Sequence, residues 1–164
     1  MSYTIKVKGI RMEDFTNYKK PSMYIAFPSC TFKCEKDCGK KMCQNSSLVQ
    51  APNIEVDVDV LIKKYIDNPI TKAIVFAGLE PFDSLPELNH TIKEFRKYTD
   101  DDIVIYTGYT EEEFEEYPYR LSYLQRFPNI IIKFGRFVPN EKPHYDEVLG
   151  IELASNNQYA RRIS

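Results

Sequence analysis

No apolar run in this chain approaches the roughly 18 residues that a membrane-crossing helix needs, and Met1 to Ile10 lack the apolar core of a secretory signal. These absences predict a cytoplasmic protein with no membrane partner. An excess of charge is also missing: 22 basic residues stand against 24 acidic ones, for a formal net charge of -2. With no field of one sign, a nucleic-acid partner is not expected, and partners must be sought at local sites. Internal repeats, low-complexity tracts and linkers are lacking too, which predicts one domain over residues 1–164. Histidine is scarce. His90 falls in a helical stretch and His144 in a polar tail, and neither has the neighbours that acid-base catalysis requires.

What is present is a globular composition, 43% hydrophobic and 13% aromatic. Met23-Tyr-Ile-Ala-Phe27, bounded by Pro21 and Pro28, reads as a short buried strand. Val58, Leu61, Ile62, Tyr65 and Ile66 recur at helical spacing behind Asp57 as N-cap, and Asn68-Pro69 ends that helix. Lys72 to Phe76 is the next strand. Gly78-Leu-Glu80-Pro81 follows it, and Ser84 with Glu87 stands in capping-box register before Leu85, Leu88, Ile92 and Phe95. Ile103 to Tyr106 is a third strand, Thr107-Gly108-Tyr109 a turn, and Thr110 with Glu113 a second capping box opening an acidic helix. Ile130 to Phe134 is a strand ending at Gly135. From about 139 to 164 the chain is polar with little periodicity, an irregular segment either docked or mobile.

Strands alternating with helices predict an α/β fold with a parallel sheet, open or partly closed like a (β/α) barrel. In such sheets ligands sit beyond the C-terminal ends of the strands. Gly78 and Glu80, Thr107 and Gly108, and the segment after Phe27 all fall at that edge, so one composite site is expected there.

The segment after Phe27 holds all four cysteines: Cys30-Thr-Phe-Lys-Cys34-Glu-Lys-Asp-Cys38-Gly-Lys-Lys-Met-Cys43. In a reducing compartment such a group binds metal or does redox chemistry more often than it forms disulfides. Four thiolates suit a structural zinc or a redox-only iron-sulfur cluster, whereas three leave one iron of a cluster open for chemistry.

The spacing Cys30-x-x-x-Cys34 resembles the start of the radical S-adenosylmethionine cluster motif, and Met42-Cys43-Gln-Asn45 resembles its end. The chain as a whole resembles the anaerobic ribonucleotide reductase activating proteins. Ile103-Val-Ile-Tyr-Thr-Gly-Tyr-Thr110, Lys133-Phe-Gly-Arg-Phe137 and Ser155-Asn-Asn-Gln158 are similar to that family's segments and occur in its order. The chain departs from the pattern twice. The family leaves two residues between its second and third cysteines, while Cys34 is followed by Cys38 after three and Cys43 after eight. Leu79 stands where the family's Gly-Gly-Glu-Pro segment has a second glycine.

The resemblance implies a partial (β/α) barrel of the radical S-adenosylmethionine type. It implies a [4Fe-4S] cluster on Cys30, Cys34 and Cys43, with Cys38 as the alternative third ligand. S-adenosylmethionine would be held by Gly78, Glu80, Thr107 and Gly108, with the carboxylate facing the cofactor's ammonium. The activity implied is reductive cleavage of that cofactor to a 5′-deoxyadenosyl radical, served by an external electron donor. The implied partner is a glycyl-radical ribonucleotide reductase; a divergent enzyme with another substrate is the alternative.

Overall fold

The computed structural model describes residues 3–29 and 50–164. The four cysteines, and with them the choice between Cys38 and Cys43, lie outside the described residues. Two short strands, β1 (Thr4–Val7) and β2 (Gly9–Asp14), precede β3 (Ser22–Phe27). Then come β4 (Ile54–Asp57), α1 (Val58–Asp67), β5 (Ala73–Gly78), a 3₁₀ turn over Pro81–Ser84 and α2 (Leu85–Phe95). Next are β6 (Asp102–Tyr106), α3 (Glu111–Glu115), α4 (Tyr119–Leu124) and β7 (Ile130–Phe134). The chain closes with β8 (His144–Asp146), β9 (Ile151–Leu153) and β10 (Tyr159–Arg162).

The main sheet has six strands in the order β10-β7-β6-β5-β3-β2. The four central strands, β3, β5, β6 and β7, run parallel. The edge strands β2 and β10 are antiparallel to their neighbours. The sheet is therefore mixed and mostly parallel, and of the two forms expected it takes the open one, not the partly closed barrel: β2 and β10 end the order without meeting. β1 pairs with β4, and β8 with β9, as separate antiparallel ribbons. The unpatterned segment after Pro139 thus contains a hairpin and the strand that covers the outer side of β7.

Alternation along the strands sorts their side chains onto two faces. On one face Ile25, Phe27, Ile74, Phe76, Ile103, Ile105, Ile132 and Phe134 pack against α1, α2, Phe114 and Leu124. On the other, Ala73, Val75, Ala77, Val104 and Ile131 meet Tyr18, Leu149, Leu153 and Ala160. All four helices named among the described residues lie on the first face. The second is covered by the loop carrying Tyr18 and by the β8–β9 hairpin, which brings Leu149 and Leu153.

Caps set the helix starts. Asp57 accepts from the N–H groups of Asp59 and Val60 at α1, and Thr110 with Glu113 forms a reciprocal capping box at α3. The box expected at Ser84 does not form. Ser84 ends the 3₁₀ turn with ψ 53°, not in the extended conformation that aims a cap hydroxyl at the helix, and the first N–H groups of that turn are met by Glu80.

Candidate functional site

The C-terminal ends of the parallel strands gather the residues singled out above. Gly78 ends β5, Thr107 and Gly108 follow β6, Gly135 follows β7, and Pro28-Ser29 lead from β3 towards the cysteine segment. Glu80 lies at the centre of this edge with only 4% of its surface exposed. Its Oε1 accepts from the Gly108 N–H at 2.7 Å and its Oε2 from the Phe82 N–H at 3.1 Å. The Thr107 hydroxyl lies 3.0 and 2.9 Å from the two oxygens. One carboxylate thus ties together the loop after β5, the 3₁₀ turn and the loop after β6. Burial pushes the Glu80 carboxyl up to about 7, against the opposing pull of the Gly108, Phe82 and Thr107 donors.

Gly78 has φ +88°, and a Cβ there would lie 2.6 Å from Ala26 Cα and 2.6 Å from Phe27 N. Only glycine allows β5 to turn off the sheet this close to β3. The close approach at Gly78 is therefore made by the neighbouring strand. The half-buried Leu79 follows it and donates its N–H to the Phe27 carbonyl at 3.1 Å, keeping the two strand ends joined past the last register pair. At Gly108 a Cβ would stand 3.3 Å from Arg136 Cγ and 3.6 Å from Glu80 Oε1, so the glycine lets its backbone lie close against both side chains.

Lys133 was not singled out from the sequence as a site residue. It is buried near the end of β7 on the face opposite the helices, its Nζ donating to the Gly135 carbonyl at 2.9 Å and lying 5.4 Å from the Tyr106 ring centroid. Burial lowers its amine to about 8, and the charge of Glu80 raises it part of the way back. The available signal was positional: a lysine sharing a face with Ile131 inside a strand of otherwise apolar residues must bury its ammonium or snorkel. Around Glu80, Tyr109 donates its hydroxyl to Asp83 at 2.5 Å, and Arg136 pairs with Glu113 at 2.7 Å.

Neither histidine joins this cluster. His90 stacks on Tyr3 with centroids 3.9 Å apart, and the His144 ring contacts the Gln158 carbonyl. Among the described residues no group of three or more His, Cys, Asp or Glu side chains could hold a metal, and no helix is long and apolar enough to cross a membrane. Any resident metal would fall to the cysteine segment, whose soft thiolates are the donors iron-sulfur clusters take.

A family model described as a 4Fe-4S single cluster domain matches residues 16–159. No curated protein and no solved structure matches the chain.

Proposed function

The chain belongs to the 4Fe-4S single cluster domain family, and from that premise we propose that it is a radical S-adenosylmethionine enzyme that activates a glycyl-radical ribonucleotide reductase. The observation that carries this reading is the meeting of Glu80, Thr107 and Gly108 at the strand edge from which β3 leads into the cysteine segment. A cofactor that must touch both a cluster and a protein carboxylate needs those two features side by side.

Cys30, Cys34 and Cys43 would hold the cluster, leaving one iron free of protein thiolate. When bound, the cluster would supply one electron to the sulfonium of S-adenosylmethionine and so break a carbon-sulfur bond. The chain's own part is to position and to exclude water. Glu80 would offer its carboxylate to the cofactor's ammonium, whose charge would hold it ionised against the upward pull of burial. The Gly108 N–H, the Thr107 hydroxyl and the Phe82 N–H hold the carboxylate in place. Lys133 carries the opposite charge in the same low-dielectric edge and favours ionised Glu80.

The hydrogen acceptor is proposed to be the backbone glycine of the reductase, with electrons from an external donor. A divergent member acting on another substrate would share all of this up to the acceptor. The deciding experiment reconstitutes the protein with iron and sulfide under anaerobic conditions, reduces it, adds S-adenosylmethionine and measures 5′-deoxyadenosine. Product that depends on the cluster is expected. A cluster held by four thiolates, or zinc, with no product would make the chain a redox or structural module. Product without a glycine-centred electron spin signal on the cognate reductase would leave the chemistry standing and remove the partner.

A further inference from the structure

Six of the seven arginines in the chain are accounted for. Arg11, Arg136, Arg161 and Arg162 are paired with carboxylates, Arg96 donates to the Pro128, Thr99 and Asn129 carbonyls, and Arg126 is exposed to water. Arg120 differs. It is half-buried near the start of α4, its guanidinium carbon 5.3 Å from the Tyr109 ring centroid and 4.8 Å from that of Tyr117. No hydrogen bond or ion pair reaches this guanidinium among the described residues, and its Nε is shut off from solvent with no partner.

Ring contacts satisfy a guanidinium through its faces, while its five N–H donors lie in its plane. Two tyrosines therefore hold Arg120 in one orientation without using its donors, and with Nε enclosed the two Nη groups at its end fit a planar acceptor with two oxygens. The same corner exposes Tyr117 and Tyr119, 45% and 56% accessible and packed edge to face at 6.2 Å. Arginine and tyrosine beside one another are the residue types that dominate binding energy at protein interfaces. Exposed Glu112, Glu115 and Glu116 precede the corner in the chain and disfavour a polyanion such as phosphate or nucleic acid there. One carboxylate set among apolar contacts meets both conditions.

The geometry points to Arg120, with Tyr109, Tyr117 and Tyr119, as a docking group for a single carboxylate of a partner polypeptide, beside the cluster of Glu80, Thr107 and Gly108. Tyr109 joins the two, since it follows Gly108 in the chain, touches Arg120 with its ring and reaches Asp83 with its hydroxyl. The choice of a polypeptide rests on the reading that the hydrogen acceptor is a protein; the uncommitted guanidinium does not.

The test follows the Nε–H resonance of Arg120 in cluster-loaded protein labelled with ¹⁵N-arginine, assigned by its loss in Arg120→Gln. Three probes are titrated to millimolar concentration: acetyl-Gly-Asp-Gly-amide, its Asn counterpart and inorganic phosphate. A saturable shift with the Asp peptide is expected, at least about tenfold tighter than with the Asn peptide and tighter than with phosphate. Tyr117→Leu keeps the resonance in view and should weaken the Asp peptide, which covers the case in which Arg120→Gln does not fold. Equal responses to Asp and Asn, or no response, would overturn the docking role, and tighter binding of phosphate would overturn the polypeptide carboxylate. Failure of the enzymatic reading would show instead as absent 5′-deoxyadenosine, which this titration does not involve.

Discussion

Glu80 carries the strongest consequence at the scale of one residue, because its carboxyl is raised from 4.5 to about 7 by burial. A raised acid binds its proton more tightly folded than unfolded, so its contribution to stability is fully present below pH 4.5 and is lost as pH climbs to about 7. Over that window the loss is about 3 kcal/mol if the shift is taken at face value. Glu80→Gln removes the titration and also turns an amide N–H₂ towards the Phe82 or the Gly108 N–H, a meeting of two donors that costs about 1–3 kcal/mol. Urea unfolding of parent and variant at steps between pH 4.5 and 7 should therefore show a difference that shrinks as pH rises. A constant difference would mean that Glu80 stays ionised throughout. Lys133 illustrates the limit of reading single residues: its burial follows from strand alternation, but its placement in the same edge as Glu80 follows only from the order of β5, β6 and β7.

At the scale of elements, local chemistry was legible where the deciding partners lie within a few residues. Asp57 before α1, Thr110 with Glu113 before α3, and the apolar runs of β3, β5, β6 and β7 all stand as their residue patterns predict. Ser84 and Glu87 have the same spacing as Thr110 and Glu113, yet no box forms, since Ser84 is held at the end of a 3₁₀ turn with ψ 53° where Thr110 is extended at ψ 163°. The two caps make a paired test. Asp57→Ala should destabilise the protein by about 1 kcal/mol, while Ser84→Ala should change it by only a few tenths. Equal losses in thermal or urea unfolding would contradict the cap geometry. β1, β2, β8, β9 and β10 were not legible. They are short, and their partners are distant in sequence: Thr4 meets Asp57, and Tyr159 meets Phe134. No window of neighbouring residues contains that information. The meeting of Glu80 with Thr107 and Gly108 was foreseeable from the parallel-sheet rule alone, because both loops follow strands; the Phe82 N–H and the tyrosines around Arg120 depend on the path of the turn and of the α3–α4 corner, which the rule does not specify.

For the whole molecule, the open question is which thiols hold the cluster. Singly replaced by alanine, Cys30, Cys34 and Cys43 should each lose bound iron and the visible absorbance of the cluster, whereas Cys38→Ala should keep both. Retention by Cys43→Ala with loss by Cys38→Ala would move the third ligand. The sheet order also bears on how the protein folds. Parallel pairing of β3 with β5 requires closing the whole crossover from Phe27 to Ala73, and the cysteine segment lies inside it. A cluster tying Cys30 to Cys43 would shorten that crossover and lower its closure entropy, but closure cost grows only with the logarithm of length, so the gain is roughly 0.3 kcal/mol. Refolding with the cluster in place should then outpace refolding without it by less than about twofold. Unlike a domain that is a random chain until metal arrives, this one would assemble its sheet first and receive iron and sulfur afterwards, as a finished mould receives a casting.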